Sequence, residues 1–170
     1  MREQNLIIIG MPGSGKSTLG VILAKTLGWK FCDTDLVIQE MTGRLLQKII
    51  DKDGIEAFKA IEEQAVLSLH CTRTVIATGG SVVFSRPAME HLKAGGIVLY
   101  LRIPFDVMVR RLDNITTRGI VLAAGETLPE MYRERIPLYE KYADITIECS
   151  DDHYENVIGS VLEKLRHARN

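Results

Sequence analysis

The chain has 170 residues, 46% of them hydrophobic and 25% charged, with a net charge of −1 at neutral pH. This is the size and composition of one globular domain, which would bury about 70% of its unfolded surface. The near-neutral balance excludes a general binder of nucleic acids or of membrane surfaces. Cys32, Cys71 and Cys149 are odd in number and too scattered for a metal-ligand spacing. They point to free thiols in a reducing compartment, so the expected location is cytoplasmic.

The first apolar run, Leu6-Ile7-Ile8-Ile9, is too short for a signal or membrane segment and reads as a fully buried strand. It leads directly into Gly10-Met11-Pro12-Gly13-Ser14-Gly15-Lys16-Ser17-Thr18, the phosphate-binding pattern G-x-x-x-x-G-K-[ST] at a strand-to-helix turn. Gly10, Gly13 and Gly15 let successive backbone N–H groups curve around a phosphate, because no Cβ blocks that curvature. Lys16 reaches the β- and γ-phosphates, and the Ser17 hydroxyl ligates Mg²⁺. Ser14 and Thr18 complete the predicted nucleotide site. The four defined positions arise by accident in roughly one chain of this size in a hundred. Glycines serving only a tight turn would not explain the Lys16-Ser17 pair.

Leu19, Ile22, Leu23 and Leu27 then mark a helix that ends at Gly28. Trp29 to Cys32 is a short strand running into Asp33-Thr34-Asp35. A helical region spans about 36–70, punctuated by Gly43 and Gly54, with Phe58, Ile61, Ala65 and Leu69 on one face. Thr74 to Ala77 is the next strand and ends in Thr78-Gly79-Gly80-Ser81. Ser85 and Pro87 read as cap and first-turn residue of a helix that stops near Gly95-Gly96. Ile97 to Leu101 is a strand, Phe105 to Leu112 a helix, and 114–128 a long loop. Thr127, Pro129 and Glu130 make a capping box for a helix to about Tyr142. Ile145 to Glu148 is the last strand, and Val157, Ile158, Val161, Leu162 and Leu165 stripe a closing helix.

Five strands separated by helices imply an α/β fold, a three-layer sandwich of the P-loop type with a parallel sheet between helices. Ligands in such folds bind beyond the carboxyl ends of the strands, and loops 10–17, 33–35 and 78–81 all lie there. Asp33 is placed to hold the Mg²⁺ shell opposite Ser17. Asp35, two residues on, is placed to orient and deprotonate an acceptor hydroxyl. Acids in such a pair also cap helices, and Asp35 is read as preceding one. Six of the twelve arginines fall within 102–135, where a solvated helical face competes with a role towards anionic ligands.

Over nearly its whole length the chain resembles the shikimate kinase family, small P-loop kinases of the nucleoside monophosphate kinase type. The matching segments are the phosphate loop with Leu19-Gly20, Phe31-x-Asp33-Thr34-Asp35, the Gly-Phe-Arg-x-x-Glu-like Phe58-Lys59-Ala60-Ile61-Glu62 and Thr78-Gly79-Gly80. The Arg111…Arg118 pair and Arg135-Ile136-Pro137-Leu138-Tyr139…Ala143-Asp144 complete the match. The resemblance implies phosphorylation of the 3-hydroxyl of shikimate by ATP with Mg²⁺, as a step of aromatic amino-acid synthesis. It implies a core of about 1–35, 71–113 and 129–170, substrate-binding helices at 36–70 and a lid at 114–128. Asp35 would bind the substrate hydroxyls, Lys59 and Arg135 its carboxylate, and Gly79, Gly80 and Ser81 would lie near it. Arg118 would come from the lid onto the phosphates, and Arg111 would pack near the adenine. Partners are then ATP and a small hydroxy acid, with no nucleic acid or membrane, and a monomer is expected.

The chain departs from the family at three positions. Lys59 replaces an arginine, and Glu62 and Glu63 are spaced along the helix to pair with it. Ser81 replaces a third glycine. Arg118-Gly119-Ile120-Val121 replaces Arg-Pro-Leu-Leu in the lid. These leave open a related kinase for another hydroxy acid or hydroxy amino acid, or a nucleotide-binding module without turnover. Asp51-Lys52-Asp53-Gly54 fits a GTPase D-x-x-G, but it reads better as a helix end capped by Gly54, and no Asn-Lys-x-Asp string accompanies it. A nucleoside monophosphate kinase remains by analogy of fold alone.

Overall fold

The computed structural model describes residues 4–113, 120–150 and 154–168. In chain order these form β1 (Asn5–Gly10), α1 (Lys16–Leu27), β2 (Lys30–Asp33), α2 (Thr34–Thr42), α3 (Leu46–Asp53) and α4 (Ile55–Leu67). There follow β3 (Thr74–Ala77), a 3₁₀ turn Val82–Phe84, α5 (Arg86–Gly95), β4 (Gly96–Arg102), α6 (Phe105–Asp113), α7 (Leu128–Tyr142), β5 (Ile145–Glu148) and α8 (Tyr154–Ala168). The sheet order is β2-β3-β1-β4-β5, with every pairing parallel.

β1 is buried along its whole length because it has a strand on each side and helices over both faces. After β1 the chain crosses to one edge of the sheet, and after β3 it crosses to the far side of β1. The carboxyl end of β1 is therefore the point where the strand order reverses, which opens a crevice there. Register fixes what meets in it. Ile8 pairs with Ala77 on β3, and Ala77 pairs with Asp33 on β2. The Thr78 hydroxyl donates to Ile8 O at 2.9 Å, tying the start of the glycine loop to β1.

Local signals set the helix breaks. Gly43 (φ 66) donates its N–H to Gln39 O, and Gly54 (φ 87) donates to Ile50 O, so the 36–70 region is three helices. The D-x-x-G string is accordingly the last turn of α3. Ser85 caps α5 by accepting from Ala88 N, and the Thr127–Glu130 capping box opens α7. Two details differ from the sequence reading. Asp33, not Asp35, is the residue at the cap of α2, where it accepts from Asp35 N, so Asp35 lies inside the first turn. Leu69 lies beyond the end of α4, because that helix stops at Leu67.

The core has two parts. The larger lies on both faces of the sheet, around Leu6 to Ile9, Val98 to Leu101 and the helices that cover them. The smaller joins Ile38, Leu46, Ile49, Phe58 and Ala65 of α2, α3 and α4 to Val121. Residues 120–127 carry no helix or strand beyond a turn closed by Glu126 N to Ala123 O, yet Val121 is buried. Residues 114–119 of the predicted lid lie outside the described residues.

Candidate active site

The phosphate loop is shaped by its backbone. Gly15, at the cap of α1, has φ 88, a conformation that side-chain-bearing residues rarely adopt, and no side chain caps the helix. The first N–H groups of α1 therefore face the loop with no side-chain acceptor, the arrangement that receives phosphate oxygens. Lys16 is buried, and its Nζ donates to Gly10 O at 2.9 Å and Met11 O at 2.8 Å. The ammonium thus spans the loop on carbonyl oxygens that phosphate oxygens can replace. Arg111 Nη1, from α6, donates to Gly13 O at 3.2 Å on the flank of the same loop.

Strand register brings Asp33 to this helix start. Ser17 Oγ donates to Asp33 Oδ2 at 2.7 Å, while Asp33 Oδ1 accepts from Asp35 N at 3.0 Å. One carboxylate thereby links the loop to the first turn of α2. The hydroxyl and carboxylate oxygens are hard donors. Mg²⁺ in nucleotide sites takes one or two such protein oxygens and fills its other positions with phosphate and water, so these residues fit that ion.

A pocket opens beside the loop. Its walls include Lys16, Ser17, Asp35, Glu62, Gly79, Gly80, Ser81, Val121 and Arg135. The structure therefore gathers the sequence-predicted Asp35, Gly79, Gly80, Ser81 and Arg135 with the phosphate loop. The glycines lie where backbone must come close to other groups. A methyl group at Gly79 would overlap Glu62 Oε1 and touch Asp35 Oδ1 at 3.4 Å. Gly79 N donates to the buried Thr34 hydroxyl, and Gly80 O accepts from the Tyr139 hydroxyl at 2.6 Å. The Gly79-Gly80 segment is fixed from α2 on one side and α7 on the other.

Arg135 is 2% exposed on α7, and it pairs with no acidic side chain among the described residues. Its Nη2 donates to Val121 O, its Cζ sits 5.4 Å from the centroid of the Phe84 ring, and its buried Nε has no hydrogen-bond partner. Lys59, on α4, is not among the residues that line the pocket. Its Nζ lies 4.8 Å from the same ring centroid and 3.4 Å from Glu56 Oε1. Two cations thus converge on Phe84. The expected pairing of Lys59 with Glu62 and Glu63 does not form, because each glutamate is held elsewhere. Ser81 Oγ donates to Glu62 Oε2 at 2.6 Å, and Ser85 Oγ donates to Glu63 Oε2 at 2.6 Å.

Glu62 was not singled out from the sequence as a site residue, yet it lines the pocket at 3% exposure. Burial pushes its carboxyl from an ordinary 4.5 up to about 7, and the charge of Asp35 adds to the rise. The Ser81 hydrogen bond and the cations Arg135 and Lys16 pull the other way. Tyr139, Thr34, Phe84 and Val121 were likewise not singled out. Arg118 lies outside the described residues. All three cysteines are unpaired, and burial pushes the Cys32 and Cys149 thiols up to about 11, so neither is a ready nucleophile.

A pocket holding a carboxylate beside a glycine-rich phosphate loop suits transfer of a phosphoryl group to a small alcohol. The fold and site thus define the class, a small P-loop kinase. The shikimate kinase family model matches residues 12–166. A shikimate kinase from Thermodesulfovibrio yellowstonii is 35% identical over 98% of both chains, and one from Rippkaea orientalis is 36% identical over 95% of this chain and 87% of its own. The solved shikimate kinase from Acinetobacter baumannii, in complex with shikimate, matches with a TM-score of 0.88 at 29% identity, over 97% of this chain and 94% of that one. That from Aquifex aeolicus gives a TM-score of 0.81 at 27% identity over 98% of each chain. The chain belongs to the shikimate kinase family.

Proposed function

We propose that this protein transfers the γ-phosphoryl group of ATP to the 3-hydroxyl of shikimate. The observation that carries the choice of acceptor is Arg135, a buried guanidinium in the pocket wall that makes no direct ion pair among the described residues and whose Nε has no hydrogen-bond partner. Leaving such a charge unpaired costs several kcal/mol, which an anionic ligand offsets. A carboxylate lying between Arg135 and Lys59 would meet both cations, with its ring against Gly79 and Gly80 and its hydroxyls towards Asp35.

The chain's own groups supply the remaining parts. The α1 N–H groups and Lys16 hold the phosphates, with Lys16 exchanging its bonds to Gly10 O and Met11 O for phosphate oxygens. Asp35 orients the acceptor hydroxyl and takes its proton as the new O–P bond forms and the bond between the γ-phosphorus and the bridging oxygen breaks, releasing ADP. Ser17 and Asp33 would hold Mg²⁺, which when bound would supply positive charge against the phosphates. Val121, bonded to Arg135, roofs the pocket and keeps out water that would compete as acceptor. Arg118 is assigned to the phosphates by family resemblance, and Arg111 to the adenine side because it flanks the loop at Gly13.

The division into core, substrate-binding helices and lid belongs to the same reading, supported by the separate apolar cluster that joins α2, α3 and α4 to Val121. So does a cytoplasmic monomer, with three free thiols favouring a reducing compartment. No helix among the described residues is long and apolar enough to cross a membrane.

ADP release measured with shikimate and with a panel of other hydroxy acids tests the acceptor, in the wild type and in Lys59→Arg. Shikimate should give the highest kcat/KM. A guanidinium at 59 grips a carboxylate through two bonds where the ammonium gives one, so the KM for shikimate should fall about threefold to tenfold with kcat unchanged. A different acid as best substrate, or a KM that rises in Lys59→Arg, would count against this reading.

A further inference from the structure

We propose that Ser81 is a positioning residue: its hydroxyl holds the Glu62 carboxyl so that the second carboxyl oxygen is kept against the Gly79 backbone, in the pocket wall, where it takes a hydroxyl of the acceptor. The proposal rests on the function given above and adds a contact to it.

The geometry has three parts. Ser81 is buried, and its Oγ donates to Glu62 Oε2 at 2.6 Å, which fixes the carboxyl plane. The other oxygen, Oε1, is buried with no hydrogen-bond partner and points at the Gly79 backbone. Asp35 Oδ1 approaches the same point, 3.4 Å from where a Gly79 Cβ would be. Two carboxyl oxygens, one from α2 and one from α4, therefore face a single spot on the glycine loop. A buried acceptor atom left unpaired is costly, and it marks a place where a ligand donor belongs. A polyhydroxylated ring lying on Gly79 presents donors to both sides. Asp35 serves the hydroxyl that is phosphorylated, and Glu62 serves a neighbouring one.

Lys59 does not compete for Glu62, because it is drawn to Glu56 and the Phe84 ring. Without Ser81 the carboxyl would have no described neighbour holding Oε2. The charged groups that face Glu62 are Asp35 from α2, Lys16 from the phosphate loop and Arg135 from α7. Asp35 opposes ionisation of Glu62, whereas the two cations and the Ser81 hydrogen bond favour it. An ionised Glu62 accepts a hydroxyl proton more strongly than a protonated one does. The KM for shikimate in the wild type should therefore fall as pH rises through about 7.

The test combines two readouts. The first is the ¹³C carboxyl signal of Glu62 in the protein free of ligands. It should titrate near 7 in the wild type and at higher pH in Ser81→Ala, because the hydrogen bond that favours the charged form is gone. The second is the KM for shikimate against pH. At neutral pH Ser81→Ala should raise it about tenfold, the loss of a hydrogen bond to a charged group, with kcat little changed. Ser81→Thr, which keeps the hydroxyl, should recover most of that loss. Glu62→Gln should remove the inflection altogether. An unshifted Glu62 titration in Ser81→Ala, or an inflection that survives Glu62→Gln, overturns the proposal whether or not another variant folds poorly. If the carboxyl titrates as described but the wild type does not turn over shikimate, the contact is supported and the function on which its use depends is overturned.

Discussion

Replacing Asp35 by Asn is expected to lower kcat for shikimate about 100- to 10,000-fold, the range associated with a lost general base, while the affinity for MgATP stays unchanged. The separation follows from where Asp35 sits. Its side chain lines the acceptor pocket and faces Gly79, whereas the phosphate loop is tied to α2 through Asp33, which binds both Ser17 Oγ and Asp35 N. The backbone N–H of residue 35 survives the substitution, so the Asp33 carboxylate keeps its orientation. An amide keeps the shape of the carboxylate but does not take a proton at neutral pH. Stopped-flow turnover with equilibrium nucleotide binding on one preparation reads both quantities. Lost MgATP binding would mean that Asp35 belongs to the nucleotide site. A kcat lowered less than tenfold would mean that the hydroxyl proton leaves by another route.

The second large effect is expected at Arg135. Arg135→Met removes the charge and keeps most of the volume. The KM for shikimate should rise about 100-fold or more, which corresponds to a lost charge-assisted pair of about 3 kcal/mol. Stability should move the other way or stay level. A buried cation without a direct ion pair among the described residues is a burden on the folded state, and a well-packed apolar side chain of similar size is neutral or stabilising there. Tm in the absence of ligand should therefore be kept or raised, even though Val121 O loses its donor. A fall in Tm with little change in KM would recast Arg135 as a structural clamp between α7 and Val121.

What was legible in the chain is what is decided locally. The phosphate loop, the breaks at Gly43 and Gly54, the Ser85 cap and the Thr127–Glu130 box each depend on a few neighbouring residues, and each stands in the structure as read. The pairing of Ser17 with Asp33 was legible for a different reason. Parallel strands separated by helices force both loops to one end of the sheet, whatever the detailed packing.

Residue 62 shows where local reasoning fails. Helical spacing alone places Glu62 one turn from Lys59 and suggests an ion pair. Packing of α4 decides otherwise. Its buried residues are Phe58, Glu62, Ala65 and Val66, so Glu62 lies on the inward face and Lys59 at its edge. The signal was present in the sequence, since a carboxylate falls between Phe58 and Ala65 on a stripe that is otherwise apolar. Tyr139 with Gly80, and Thr34 with Gly79, left no comparable trace. Each joins residues tens of positions apart, and only the assembled sheet brings them within reach.

The most direct test of the central claim follows the phosphorus itself. ³¹P NMR of the protein with MgATP and shikimate should show the γ-phosphate signal decline as a phosphomonoester coupled to the shikimate C3 proton appears, with ADP in equal amount. ADP accompanied by inorganic phosphate alone, or a γ-phosphate signal that persists beside folded protein and excess shikimate, would contradict it.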